Sequence, residues 1–395
     1  MIDIPEITAF QNKPQQLSIT IKNIRDAEEL YLTNADIIES SFSLNRYCLN
    51  GDFVQPGGCI QSEVIFTLEN HDGRFDSYPL ELGFIDSMSV SVESDLNPGT
   101  TLTCPLGKYD IPTRNGVKRG KGTITITAKD HLSAFDYPID LSLSKWANMY
   151  SKDYILEACS DRSFALNRTA NDYTAYDYNM ISFFYRNPTL NTLSPSILRS
   201  WMGDSITYRQ ILTSACALNA CYGFINTDGK LSFMPLLTPE RALAGYVPGS
   251  QIAMDPIPFL ELSPQNIFAS QKGSIEKVRG LISVSYYPSS QTVYYPTNSG
   301  LQNYVQMTNN HFLASGSSSV AQDALQYYEE ECYNTNDLAF SYVPFQAETL
   351  PFPNVFPGDA VRIYTDVAKT KYYDSFVSHY TYKLNGRTQL MCVGL

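Results

Sequence analysis

Apolar and polar residues alternate one by one through most of the first 140 residues. Val64, Phe66 and Leu68 of SEVIFTLEN share one face, and the same period runs through LSITIKNI (17–24), SMSVSVES (87–94) and the TITITA of GKGTITITAKDHLSAFD (120–136). Successive side chains of a strand point to opposite faces, so a period of two describes strands buried on one side. TLTCPLGKYDIPT (101–113) has the same character but is broken by Pro105-Leu106-Gly107. Short strands at close spacing, separated by turn signals, predict a barrel or a sandwich. The one tight basic cluster, KRGKG at 118–122, reads as a solvated hairpin tip.

Near Ile139 the pattern changes. SKDYILEACS (151–160) predicts a short helix, and a polar passage rich in Tyr and Asn follows at 168–191. The most legible segment is GDSITYRQILTSACALNACYGFINTDGKLSFMPL (203–236). Asp204 or Thr207 can cap a helix running from Tyr208 to about Ala220, with Gly223 as its stop. FINTDGKLSF then reads as a hairpin around Asp228-Gly229. The Pro-rich QIAMDPIPFLELSP (251–264) reads as a linker. The last third returns to strands, interrupted by a helix near 318–334, and Pro357-Gly358-Asp359 marks a tight turn feeding one of them.

These patterns predict a mainly β chain with α+β parts: β domains at 1–140 and 263–395, the second with a helical insertion at about 300–345, flanking a small α/β domain at 141–262. At 395 residues, two or three domains are expected. Charged residues are only 17% against 43% apolar, which separates the chain from disordered sequences. The 28 Tyr and 20 Phe favour strands and large, partly buried surfaces.

A net charge of −12 argues against sequence-wide binding to nucleic acid or an anionic membrane, both of which use clustered Lys and Arg. It is compatible with an acidic wall past which DNA slides without sticking. MIDIPEITAF has neither the basic nor the apolar region of a secretory signal, and no apolar run approaches the roughly 20 residues of a membrane helix. The expectation is a chain made and assembled in a cytoplasm, without membrane anchoring of its own. Its eight cysteines (48, 59, 104, 159, 216, 221, 332 and 392) form no CxxC pair, and with four histidines they offer no zinc spacing. Buried free thiols are expected.

Candidate chemistry is sparse. Gly203-Asp204-Ser205 matches the nucleophile block of one esterase class, but Asp374 and His379 have the wrong spacing for its partners, and the block reads better as a helix cap. Asn167-Arg168-Thr169 is a glycosylation sequon with no secretion route to use it. Glu329-Glu330-Glu331 and Cys332 point in different directions around a helix and cannot converge. No phosphate loop, nucleophile elbow or HExxH helix occurs. In NHDGRFD (70–76), Asn70, Asp72 and Asp76 could supply oxygens to Ca²⁺, although the alternate acids of an EF-hand are missing. A turn with Gly73 at positive φ explains the same residues, with Phe75 returning to pack. The sequence thus predicts no catalytic residue, no cofactor and no metal.

Three blocks together resemble the hub proteins of phage tails: the baseplate hubs of contractile tails and the N-terminal hub modules of tail-associated proteins in long-tailed phages. They are SEVIFTLENHDGRFDSY, the capped helix and hairpin TYRQILTSACALNACYGFINTDGKLSF, and FPGDAVRIY. The resemblance spans essentially the whole chain in the right order. It implies two tube-like β-barrels per subunit and a homotrimer whose six barrels continue a hexameric tail tube. The middle domain and the insertion would build the periphery. Implied partners are the tail tube or a distal tail protein ring, the tape-measure protein, and a spike or fibre, with DNA only in passage through the lumen. Implied location is the virion tail tip, assembled in the host cytoplasm, and the implied role is structural, in joining and gating. Hub modules often continue into a fibre or wall hydrolase; because this sequence ends at Leu395, any such part is expected on another polypeptide. The alternatives are a cell-wall-degrading protein and a receptor- or carbohydrate-binding tail protein with Tyr platforms.

Overall fold

A computed structural model describes residues 10, 14–22, 29–48, 57–80, 88–97, 100–162, 193–202, 205–219, 221–235, 259–274, 276–278, 280–285, 290–295, 304–313, 318–328, 340–353 and 355–392. The described chain is mainly β with α+β parts. The alternating runs all become strands: β1 (Gln16–Lys22), β2 (Glu29–Thr33), β3 (Ser43–Cys48), β4 (Gly58–Glu69), β5 (Met88–Asn97), β6 (Thr100–Asp110), β7 (Val117–Gly120) and β8 (Thr123–Asp130). In β4 the period of two is literal, with Val64, Phe66 and Leu68 fully buried and the residues between them half-buried. Each such side chain removed from water contributes about 2 kcal/mol. KRGKG is a hairpin tip between β7 and β8, turning through Gly122 at φ +74°.

One expectation is corrected here. Pro105-Leu106-Gly107 does not break its strand. β6 runs through it, and the pairing with β5 slips one residue between Val90–Gly107 and Ser91–Pro105. Gly107 sits at φ +137°, a conformation nearly closed to other residues, and Leu106 is the extra residue of a β-bulge. A bulge absorbs the proline where a regular ladder would lose a hydrogen bond.

The middle of the chain supplies α1 (Ser151–Asp161), α2 (Pro195–Met202), α3 (Tyr208–Leu218) and the hairpin β9 (Cys221–Ile225) and β10 (Leu231–Pro235). Thr207 caps α3 in a capping box: its hydroxyl accepts from Gln210 N at 3.3 Å, and the Gln210 side chain accepts from Thr207 N at 2.8 Å. Asp204, the other expected cap, lies outside the described residues, as do Gly203, the sequon at 167–169, the Tyr-rich passage at 168–191, and 329–332. The helix stops at Leu218 with Asn219 as its C-cap, earlier than expected. Gly223 does not stop it; that residue is inside β9, where a Cβ would stand 3.1 Å from Cys216 Sγ. The hairpin turns at Asp228-Gly229 as expected, with the Asn226 side chain accepting from Asp228 N and Lys230 N.

The last part contributes β11 (Leu260–Leu262), β12 (Ile267–Lys272), β13 (Glu276–Val278), β14 (Gly280–Ser285), β15 (Gln291–Tyr295), β16 (Tyr304–Thr308), α4 (Ser318–Tyr328), β17 (Phe340–Tyr342), β18 (Phe345–Thr349), β19 (Ala360–Tyr364), β20 (Tyr372–Lys383) and β21 (Thr388–Cys392). One sheet follows the order β12-β18-β21-β20-β3-β4-β8-β6-β5-β1-β2. The link between chain ends is the antiparallel pair β3–β20, from Tyr47 opposite His379 to Ser43 opposite Lys383. Beyond β2 the chain comes back to β4, where Ile37 bridges Leu68 and Ile38 N donates to Thr67 O at 2.9 Å.

Two cores result, and they do not follow chain order. One joins the inward faces of the first strands to those of β18 to β21, for instance Phe66, Ile126, Tyr380 and Leu390. The other gathers α1, α2, α3 and the β9–β10 hairpin together with Val293, Met307, Phe312 and Leu325.

Candidate functional site

The turn after β4 holds the three residues singled out for calcium. Asn70 Oδ1 accepts from Phe75 N at 2.9 Å, and Asn70 Nδ2 donates to Asp76 Oδ1 at 2.7 Å. Gly73 is at φ +73°, and Phe75 returns to the core, 4% exposed. Asn70 and Asp76 are therefore brought together, but by donating and accepting between themselves and the backbone. Asp72 is turned outward beside Arg74, which also reaches Asp36 at 3.1 Å. Arg119 donates to the carbonyls of Phe75 and Tyr78 from the neighbouring hairpin. The chemistry is that of a braced turn. Among the described residues, no group of three or more His, Cys, Asp or Glu side chains is placed to hold a metal ion.

The three blocks that carry the resemblance meet in space. Block one is β4 from Ser62 onward and its turn; the start of the same strand, just ahead of the block, pairs in parallel with β9 of block two, Gly58 opposite Tyr222 and Cys59 opposite Gly223. Gly358 of block three, at φ +91°, leaves room that a Cβ would fill 2.6 Å from Tyr222 and 2.9 Å from Met234 of the same hairpin. Phe224 and Phe356 touch with ring centroids 4.8 Å apart. Segments some 150 residues apart in sequence thus form one joint where the two cores adjoin.

Arg46 on β3 is the centre of that joint, and it was not singled out from the sequence. It is 1% exposed, donates to Val355 O at 2.9 Å and Leu106 O at 2.8 Å, and lies 3.7 Å above the Phe356 ring. Leu106 is the bulge residue, so the irregularity in β6 is what aims a carbonyl at the guanidinium. A signal was present: Phe42, Leu44 and Arg46 share one strand phase, and a charge at an inward position calls for partners. Asp130 breaks the phase of Ile124, Ile126 and Ala128 in the same way. Its carboxylate accepts from Ser62 N at 2.7 Å and Leu132 N at 3.3 Å, while burial pushes its pKa up to about 7. Burial likewise raises Asp359, beside the Gly358 turn, to about 6.

A second polar contact fastens the turn at Asn310 and His311 to α3. Ser214 Oγ and His311 Nδ1 are hydrogen-bonded, His311 N donates to Ser214 Oγ, and Asn310 Nδ2 donates to Ser214 O at 2.8 Å. Burial holds His311 at a pKa of about 4, so it is neutral at ordinary pH. A serine beside a histidine suggests a nucleophile and base, but both residues are under 9% exposed inside the packed core. No local pattern in the sequence pairs residues 97 positions apart.

No protein-family model matches the chain, and no curated protein matches its sequence. Solved structures similar to it include tail and baseplate proteins and PdpA–VgrG complexes. The tail protein from Neisseria meningitidis MC58 superposes with a TM-score of 0.47 at 11% identity, covering 96% of each chain. The 43 kDa tail protein of prophage MuSo2 from Shewanella oneidensis gives 0.42 at 11% identity, again over 96% of each. A chain of the p2 virion baseplate in its activated conformation gives 0.30 at 9% identity, over 96% of this chain and 98% of that one.

Proposed function

We propose that this chain is a structural hub of a phage or phage-derived tail. Three copies form a ring that joins the tail tube to a spike or fibre and gates the lumen through which DNA leaves. The observation that carries the reading is the joint described above. The strand that carries the first hub-like block and the other two blocks, far apart in the chain, meet through β4–β9 pairing and the Gly358 contact. That is where two barrel-like β regions and a peripheral domain have to be held together. The continuous sheet across β3–β20 supports it, because it places the first and last thirds side by side as a two-barrel subunit requires. The domain limits 1–140, 141–262 and 263–395, with an insertion at about 300–345, belong to this reading. So do the trimer, the tube or distal-ring, tape-measure and spike partners, and a place at the virion tail tip after assembly in the host cytoplasm. Mechanism here is assembly and opening, with no bond made or broken.

Light scattering on the purified chain, alone and mixed with neighbouring tail proteins, tests it. A species of three times the 44.3 kDa chain mass is expected at least in the mixtures. A chain that stays monomeric with every neighbour overturns the ring. Clearing of a peptidoglycan gel by the purified chain would instead place it among wall-degrading proteins.

A further inference from the structure

Cys59, Cys216 and Cys221 are buried together where β4, α3 and β9 meet. The Cys221 thiol donates to Cys216 O at 3.6 Å. The backbones are as close as chains can come: a Cβ on Gly57, at φ +129°, would stand 2.3 Å from Cys221 O and 3.1 Å from Cys216 O. Gly223, opposite Cys59 in the ladder, admits Cys216 Sγ. The two thiols therefore already occupy neighbouring positions, with glycines clearing the space around them.

The pair is also asymmetric. Cys59 is 7% exposed and Cys216 fully buried. Arg209, Thr213 and Cys216 lie at helical spacing on one side of α3. The Arg209 charge favours the Cys59 thiolate. Against this, the neighbouring Cys216 and burial hold the Cys59 thiol well above the ordinary range, and burial does the same to Cys216. Reaction at neutral pH is accordingly slow, and Cys59 is the one a small oxidant meets first.

We propose that Cys59 and Cys216 are a latent cross-link, which a peroxide converts to a disulfide tying β4 to α3. The Cys59 thiolate attacks one oxygen of hydrogen peroxide, the O–O bond breaks, and the leaving hydroxide takes up a proton to become water. Cys59 is then a sulfenic acid. The Cys216 sulfur attacks it, the S–O bond breaks, and the departing hydroxide takes the Cys216 proton to leave as a second water. The two sulfurs together lose two electrons and the peroxide gains them. The cross-link turns a packed contact into a covalent one, so the two cores no longer separate at the joint. It does not depend on the hub reading, and neither result decides the other.

The test is peptide mapping of the full chain after hydrogen peroxide at about pH 8.5, where more thiolate is present. Remaining thiols are alkylated and the protein is digested without reductant. A Cys59 peptide joined to a Cys216 peptide is expected, with both thiols lost to alkylation, and Cys221→Ser keeps the link. Cys216→Ser abolishes it and leaves a Cys59 sulfenic acid that dimedone traps. A Cys216–Cys221 link, or full alkylation of Cys59 and Cys216 on unfolding after oxidation, overturns the proposal. The wild-type map decides alone if a variant does not fold.

Discussion

The two cores are built on different plans. The sheet core takes its residues from opposite ends of the chain and is assembled almost wholly from alternating strands. Two of its buried polar groups, Arg46 and Asp130, are held mainly by backbone: two carbonyls for the first, two N–H groups for the second. The helical core is drawn from the middle of the chain and from later residues such as Met307, Phe312 and Leu325. An aromatic line runs through it: Trp146 meets Tyr154 and Tyr208, and Tyr154 meets Phe312, with centroids 5.7 to 6.2 Å apart. One of its buried polar contacts is side chain to side chain, Ser214 to His311. Main-chain partners move only with the backbone, whereas the serine and histidine hold each other only while the turn at Asn310 and His311 is docked on α3. The sheet core should therefore depend on single anchors and the helical core on docking.

Removing the sheet anchor should have the largest effect. Arg46→Met keeps the apolar stem but removes two charged hydrogen bonds, leaving the Val355 carbonyl without the guanidinium and the Leu106 carbonyl with the Tyr109 hydroxyl at 3.0 Å, and should cost about 4 kcal/mol in urea unfolding. A loss under about 1 kcal/mol would mean that the bulge in β6 does not exist to serve this residue.

The cores should also answer pH in opposite directions. His311 is depressed to about 4 from its ordinary 6.5, so the unfolded chain binds the proton more readily. Its contribution is complete above about pH 6.5 and is lost as pH falls toward 4, up to roughly 3 kcal/mol. Asp130 is raised to about 7 from 3.8, so the folded chain binds the proton more readily. Its contribution is present at low pH and is lost as pH rises through about 7. Hydrogen exchange at about pH 5 and about pH 8 should show α3 and the insertion opening on the acid side, and the Ser62–Asp130 end of the sheet opening on the alkaline side. His311→Asn and Asp130→Asn should each flatten one slope; parallel behaviour of the two regions would break the distinction.

Two glycine substitutions sharpen it further. Gly358→Ala strains a positive φ and drives a methyl into Tyr222 at the joint between the cores, costing about 2 kcal/mol. Gly73→Ala, also at positive φ, meets only the end of the exposed Asp76 side chain, and should cost about 1 kcal/mol or less. Equal losses in thermal unfolding would show that the joint is no tighter than the surface turn.

Much of this was legible in the residues. Period-two runs gave the strands and their buried faces, Thr207 the start of α3, and Asp228-Gly229 the hairpin, because each rests on geometry within a few residues. The turn at 70–76 was legible both as a possible oxygen cluster and as a turn. Which of its oxygens face one another depends on φ at Gly73 and on the return of Phe75. The bulge at Leu106 was misread as a break, since proline and glycine signal interruption without saying whether a neighbouring strand will accommodate it. Gly223 was misread as a helix stop because its value lies in the space it leaves for Cys216, a contact outside its own segment.

The sequence by itself determined which residues face inward, where most elements begin, and that strands dominate. Local periodicity and capping are short-range, and no tertiary contact is needed to write them. Only the tertiary structure decided that the first and last thirds share one sheet through β3 and β20. It alone placed Arg46 against a bulge carbonyl and a loop carbonyl from opposite ends of the chain. Such pairings depend on which strand edges are left free once each local unit has formed, and that is a property of the whole chain.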